Sequence, residues 1–264
     1  MLKEEAKDRW TSGAKYERWM GRWSRLLARE FVRWLEPAAG LRWIDVCCGS
    51  GIVSRIIAAE AAPESILGVD ISPQQISFAR ESNALEHVTF EVADAMALPM
   101  PDASFDIAVC GLGLNFIPDP AAGLREMRRV LRPDRSIALY VWDYEKGARF
   151  LRIFWDTAKE VDPEAAAFDQ GSRFPMCTEA GMRKVMKESG HENVRVQALD
   201  IVTAFASFED YWRPFLEGQG SAPTYIASRT AEMQGKIRDR LRSRLPDERF
   251  ELPARAWAVC ARRN

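Results

Sequence analysis

Three carboxylates and a glycine-bearing turn are spaced for chemistry in the first half of this sequence. Trp43-Ile44-Asp45-Val46 is an apolar run that enters a turn of small residues, Cys47-Cys48-Gly49-Ser50-Gly51, before an Ile- and Ala-rich stretch. Glycine in such a turn lets backbone approach a ligand closely and adopt dihedrals that a side chain opposes. Amides at 50–53, opening a helix, can receive a carboxylate or another anion. Nineteen residues beyond Gly51, Gly68-Val69-Asp70 ends a second apolar run with an acid, and Ala93-Asp94-Ala95 ends a third. A carboxylate at Asp70 can accept both hydroxyl hydrogens of a ribose. Asp94 can accept from an adenine amino group while the Ala95 amide donates to a ring nitrogen. Each signal alone is weak. In this order they lay a nucleoside across the carboxyl ends of adjacent strands.

The elements that must hold these residues alternate. Strands are predicted at about 42–47, 65–69, 88–92, 105–110 and 135–142, with helices to about 62, from 73 to 82 and from 120 to 131. Ser72 is a cap for the second of these, with Pro73 at the first helical position. Such alternation predicts parallel strands with helices on both faces. Ahead of the sheet, Tyr16, Trp19, Met20, Trp23, Leu26, Leu27, Phe31, Trp34 and Leu35 recur at helical spacing until Pro37 and Gly40. That aromatic face fits a helix packed on the sheet's flank and fits a lid over a ligand equally well. Residues 145–175 read as aromatic and irregular, followed by a helix at 178–189 and a strand at about 194–202. Residues 207–245 read as an inserted helical segment and 254–261 as the final strand. The expected organisation is one domain over 1–264: an N-terminal helical cap at 1–35, a ligand-binding core at 41–142, cap insertions at 145–175 and 204–245, and a last strand at 254–262.

Composition excludes several function classes. Lys and Arg total 37 against 38 Asp and Glu, so no global charge draws the chain to nucleic acid or an acidic membrane. The stretch 229–249 is locally basic but reads as an amphipathic helix with a solvated face, since Ile237, Leu241 and Leu245 repeat every four residues. No apolar run is long enough to span a bilayer, and the start MLKEEAKDRW has no secretory pattern, so a cytoplasmic location is expected. The five cysteines lack zinc or disulfide spacing, and no metal is expected. His87 and His191 read as turn or surface residues, which leaves a histidine-centred triad or metal site poorly supplied.

Asp45-Val46-Cys47-Cys48-Gly49-Ser50-Gly51 resembles the first signature of the class I S-adenosylmethionine-dependent methyltransferases, in the type 11, ubiquinone/menaquinone-biosynthesis-like branch. LGVDISPQQISFAR at 67–80, VTFEVADAMALPMPDASFDIAVC at 88–110 and LREMRRVLRPDRSIAL at 124–139 are similar to later motifs of that family, in the same order. The resemblance is specific over 41–142 and weaker outside it. It implies an α/β fold, a Rossmann-like seven-stranded sheet with helices on both faces and a helical cap, and methyl transfer from S-adenosyl-L-methionine, leaving S-adenosyl-L-homocysteine. By motif position it implies that Asp45 supports the glycine loop and the amino-acid end of the cofactor, and that Cys47, Gly49 and Gly51 approach it through backbone. Asp70 would bind ribose, Ile71 and Gln75 would flank adenine, Asp94 and Ala95 would read its edge, and Gly111 would line the methionine portion. Tyr16 and Arg22 are further cofactor candidates from the N-terminal cap.

Three residues depart from the family pattern. Cys47 stands at the usual first glycine, Gln75 where methionine is common, and Asp134-Arg135 where the turn before the fifth strand usually carries two glycines. Methyl transfer from a sulfonium is an in-line displacement that alignment and water exclusion can drive, so no general base is assigned. Tyr16, Asp143, Tyr144 and Tyr225 are open as pocket groups. Phe150, Phe154, Trp155, Phe174, Tyr211 and Trp212 are open either as an apolar acceptor pocket or as ordinary core. The acceptor is expected to be a small, partly hydrophobic molecule rather than nucleic acid, with the chain a monomer or a homodimer. An NAD-dependent oxidoreductase shares the crevice logic, and a non-catalytic binding protein would retain the fold. The incomplete phosphate fingerprint disfavours the first.

Overall fold

The structure, a computed structural model, describes residues 13–83, 85–217 and 220–263. Its centre is a seven-stranded sheet of order β3-β2-β1-β4-β5-β7-β6, with β1 at Arg42–Val46, β2 at Ser65–Asp70, β3 at Val88–Val92 and β4 at Phe105–Gly111. Strand β5 spans Leu131–Trp142, β6 Arg195–Phe205 and β7 Phe250–Arg262. Strands β1 to β5 pair in parallel, whereas β7 runs antiparallel between β5 and β6. The order steps outward from β1 to β3, then reverses to β4 on the other side. A crevice opens above the carboxyl ends of β1 and β4 at that reversal, the place where open α/β sheets bind ligands.

Right-handed crossovers in the two directions put helices on opposite faces. The N-terminal helical stretch begins with α1 (Gly13–Tyr16), passes through one π-helical turn at Glu17–Gly21, and continues as α2 (Arg22–Leu35). Helix α2 packs against α3 (Ile52–Glu60) and reaches β6, while α4 (Pro73–Glu81) lies over β2 and β3. On the other face α5 (Pro120–Val130) packs on α8 (Glu179–Glu188). The cap signals act as read: Ser72 Oγ accepts from the Gln75 amide, with Pro73 at the first position. Asp119 caps α5 in the same manner through the Ala122 amide.

Several boundaries differ from the sequence expectation. Residues 145–175 are mostly helical: α6 spans Arg149–Val161, and α7 is a short turn at Gln170–Arg173. Phe150, Leu151, Phe154, Trp155 and Ala158 fall on its buried side, so the aromatic run that looked irregular is a 3.6-residue stripe. Strand β6 continues to Phe205, and β7 starts at Phe250 rather than 254, because the two pair without interruption from Arg195↔Cys260 to Phe205↔Phe250. The second insertion is therefore 206–249 rather than 204–245, carrying α9 (Phe208–Trp212), α10 (Ser221–Ala227) and α11 (Ala231–Arg242). Strand β5 begins at Leu131 rather than near 135, with a register shift against β4 between Phe105 and Ile107. Asp134 in that stretch adopts φ 59°, so an Asp takes the left-handed turn that two glycines usually make.

His191 is buried rather than at the surface. Its Nδ1 lies 3.0 Å from Ser189 Oγ. Burial, with Arg128 nearby, pushes its pKa down to about 4, so it stays neutral and structural. No helix among the described residues is long and apolar enough to cross a membrane.

Candidate active site

A cavity of about 400 Å³ fills the crevice above β1 and β4. Its floor is the turn after β1. Cys47 takes φ 59°, Gly49 φ 53° and Gly51 φ 79°, three left-handed positions within five residues. That conformation is cheap for the two glycines and costs about 1–2 kcal/mol at a residue with a Cβ. Gly113 leaves room for the Cys47 side chain in that conformation: a Cβ on Gly113 would stand 2.4 Å from the Cys47 Cβ. The Cys48 amide donates to Val69 O at 2.9 Å, which ties the turn to β2.

Asp70 ends β2 beneath that turn. Its Oδ2 accepts from the Gly49 amide and its Oδ1 from the Ser72 amide, both at 2.9 Å. Each oxygen keeps a further lone pair, so the carboxylate is fixed in orientation with two acceptor sites in hand. Burial raises its pKa, and the Ser72 and Gly49 amides oppose that rise. Asp94, past the end of β3, accepts from the Met96 amide at 2.8 Å through Oδ1. Ile71, Gln75 and Ala95 line the same cavity as the two acids. Gly111 ends β4 beside Tyr140, its register partner on β5. A Cβ there would stand 2.6 Å from Val53 Cγ2 and 2.8 Å from Tyr140 Oη, so glycine is what lets both side chains close on this strand end at the cavity wall.

The sequence-read residues Tyr16, Cys47, Gly49, Asp70, Ile71, Gln75, Asp94, Ala95 and Gly111 all line this one cavity. Arg22 does not. Its Nη1 contacts Asp210 at 2.8 Å, and its guanidinium stacks 4.2 Å from the Trp23 ring, pinning the N-terminal helix to α9. Gly51 shapes the turn without lining the cavity. Asp45 sits directly behind the turn, fully buried, with Oδ2 accepting from Ser54 Oγ at 2.7 Å. Its Oδ1 has no partner, and burial raises its pKa to about 7 even against the Ser54 hydrogen bond. An adenosylated amino acid fits this set. Asp45, behind the turn, favours a positive charge in front of it, and the two remaining lone pairs of Asp70 suit a diol.

Beyond Gly111 the cavity continues under the cap. Trp19, Met20 and Ser24 cover it from the N-terminal stretch, Phe116, Ile117 and Pro118 from the segment after β4, and Trp142 and Tyr144 from the end of β5. Leu151, Gln170 and residues 220–223 close the far side. Among the described residues, the charged side chains on the whole wall are Asp70 and Asp94, at and just past the ends of β2 and β3. Tyr16 donates to or accepts from Ser24 Oγ at 2.8 Å, and burial pushes its pKa up to about 12, so its phenol stays protonated.

The aromatic group read as a candidate acceptor pocket mostly turns elsewhere. Phe154 stacks on Phe215 at 4.3 Å in the core between α6 and the 213–217 turn, and Tyr211 Oη donates to Phe150 O. Tyr225 Oη donates to Asp162 at 2.8 Å, away from the cavity, and Asp143 is buried holding the Lys146 amide. Leu151, Gln170 and Ser221 were not singled out from sequence. The stripe in α6 could have flagged Leu151, which lies between Phe150 and Phe154; nothing local marks Gln170 or Ser221.

Residues 44–139 match a family model described as a methyltransferase domain. The chain is 33% identical over 195 residues to demethylmenaquinone methyltransferase of Lactobacillus johnsonii, covering 66% of this chain and 77% of that one. The YcgJ protein of Bacillus subtilis superposes with a TM-score of 0.58 at 16% identity, covering 90% of this chain and 98% of that chain. Phosphoethanolamine N-methyltransferase 2 of Haemonchus contortus, solved with S-adenosyl-L-methionine, does so with a TM-score of 0.57 at 16% identity, covering 90% and 52%. The matched segment runs from the residue before Asp45 to the residue before Tyr140, the span that builds the turn, both acids and Gly111. The chain belongs to the class I S-adenosylmethionine-dependent methyltransferases.

Proposed function

We propose that this chain transfers a methyl group from S-adenosyl-L-methionine to a small, uncharged, largely apolar acceptor held under the cap. One observation carries the reading: a single cavity is lined both by Cys47–Gly49, Asp70, Asp94 and Gly111 and by uncharged residues of the cap. S-adenosyl-L-methionine, when bound, supplies an electrophilic methyl on a sulfonium. Asp45 would meet its ammonium through the turn, Asp70 its ribose hydroxyls, and Asp94 with the Ala95 amide its adenine edge, while Ile71 and Gln75 cover the base. Gly51 acts by setting the turn. Tyr16 lines the cavity, and Arg22 holds the covering helix in place rather than touching the cofactor.

The acceptor half consists of 13–35 and the insertions 145–175 and 206–249 laid over the 41–142 core. Its walls orient the acceptor, and among the described residues its lining holds no histidine or carboxylate to serve as a base. The Lactobacillus relative is named for demethylmenaquinone, an apolar ring bearing oxygens, and that class suits an uncharged chamber better than a phosphorylated amine. The reading takes the chain to act in the cytoplasm on a free small molecule, without nucleic acid. Titration calorimetry with S-adenosyl-L-homocysteine, S-adenosyl-L-methionine and NAD tests the donor half. Binding of the adenosyl compounds and not NAD is expected, and no binding of either adenosyl compound ends the reading. Turnover of methyl-labelled S-adenosyl-L-methionine with demethylmenaquinol against phosphoethanolamine tests the acceptor half, with label expected only in the former.

A further inference from the structure

Gln170 is a polar side chain in the wrong place for a structural one. It opens α7 within the first insertion, is 5% exposed, and lines the cavity. Its Oε1 accepts from Trp155 Nε1 at 3.0 Å. An indole N–H can only donate, so this contact fixes which end of the amide is which. The oxygen is committed to the core, where Trp155 is buried against Phe154 and Tyr225. The Nε2 end, with two N–H donors, has no hydrogen-bond partner among the described residues. Because Oε1 is held on the core side, the amide nitrogen is the part of Gln170 left to face the cavity. That nitrogen is open to the cavity, and a ligand oxygen that takes its hydrogen bond in place of water gains about 0.5–1.5 kcal/mol.

The surroundings define what can accept. Leu151 and Met20 give the chamber apolar walls, Trp142 adds its ring and an indole N–H without a partner among the described residues, and no charged side chain stands in this half among the described residues. We infer that Gln170 is a specificity-determining residue of the acceptor site: its Nε2 donates to an uncharged carbonyl or hydroxyl oxygen carried on an apolar ring system. Trp155 is the positioning residue that holds the amide in that orientation. The inference rests on the cavity being the methyl-transfer site. It adds the chemical group that the acceptor must present and the residue that reads it.

The test uses the protein loaded with S-adenosyl-L-homocysteine and two probes of equal shape, 1-tetralone and tetralin, which differ by one carbonyl oxygen. Gln170→Leu is expected to lower the ratio of tetralone to tetralin affinity by about tenfold, with tetralin binding little changed. A ratio that stays within about twofold of the wild type, with the cofactor product still bound, overturns the inference. Failure of the wild type to bind S-adenosyl-L-homocysteine counts instead against the methyl-donor reading, so the two failures are separable. Gln170→Leu also strands the Trp155 N–H and could unfold the insertion. The wild-type side-chain amide of Gln170 then reports directly by 15N NMR. A downfield proton shift with 1-tetralone and none with tetralin supports the assignment; equal responses to both overturn it.

Discussion

The two halves of the cavity are built on different principles. The donor half is made by backbone: left-handed turn residues, amides aimed at Asp70, and a glycine at 111 that exists to be absent. The acceptor half is made by side chains delivered from several separate segments, with the Gln170 amide and the Trp142 indole N–H among its unshared donor groups. Backbone sites tolerate little substitution and bind one thing. Side-chain sites can be repainted without disturbing the sheet, which lets one donor scaffold serve many acceptors.

The largest effect that would sharpen this contrast lies at Asp70. Asp70→Ala removes a carboxylate expected to hold two hydroxyls and also releases the Gly49 and Ser72 amides. Charge-assisted hydrogen bonds contribute about 1.5–3 kcal/mol each, so affinity for S-adenosyl-L-homocysteine should fall by about 100-fold or more. Calorimetry measures it, with a thermal melt to check that the fold survives. A loss under tenfold would mean that Asp70 serves the turn and not the ligand.

The next effect is a pH dependence. Burial raises the pKa of Asp45 from the carboxylate range to about 7. The folded protein thus holds that proton more tightly than the unfolded chain. Its stability without ligand is then greatest in acid, falls as pH rises through the window up to about 7, and is level above it. A ligand ammonium on the cavity side of the turn reverses the preference, favouring the ionised form. Affinity for S-adenosyl-L-homocysteine should therefore rise by about tenfold from pH 6 to pH 8, with proton release on binding below pH 7. Asp45→Asn should flatten the profile. A flat profile in the wild type would separate Asp45 from the amino-acid end of the ligand.

The acceptor half should respond differently to damage. Leu151→Ala hollows a wall of the chamber without touching the turn or either acid. It should lower kcat/KM for the methyl acceptor by roughly 10-fold, through about 1–2 kcal/mol of lost apolar contact, and leave S-adenosyl-L-homocysteine affinity within about twofold. If both change together, the halves are not separable units.

Legibility in the sequence follows the same division. Asp45, Asp70 and Asp94 were readable because a parallel sheet brings consecutive strand ends together, so spacing along the chain stands in for spacing in space. The sheet itself was readable for the same reason, except where antiparallel pairing lengthened β6 and β7 beyond their apolar runs. Under the cap no such rule holds. Leu151 faces the cavity while Phe150 and Phe154 face the core, a choice made by the rotation of α6 against the 213–217 turn. Gln170 is in place because Trp155, fifteen residues earlier, turns its indole N–H to it. Aromatic content signalled that something apolar lay there, but only packing decided which rings were wall and which were filling.

The smallest predicted effect probes the backbone principle most directly. Cys47 holds φ 59° with a Cβ, and its thiol lies against that of Cys110. Replacing it with glycine removes both the strain and the thiol, so the change in stability alone would mix two causes. Replacing it with alanine removes the thiol and keeps the Cβ. The difference between Cys47→Gly and Cys47→Ala then isolates the left-handed penalty, about 1–2 kcal/mol, less the larger entropy of an unfolded glycine, about 0.5–1 kcal/mol. Cys47→Gly should melt about 1–4 °C above Cys47→Ala in a chain of this size. Both should bind S-adenosyl-L-homocysteine within about threefold of the wild type, since the turn is expected to meet the ligand through its amides. Equal melting points would mean that the turn relaxes once the thiol is gone. A large loss of affinity in both variants would mean that the Cys47 side chain, and not only its backbone, belongs to the donor site.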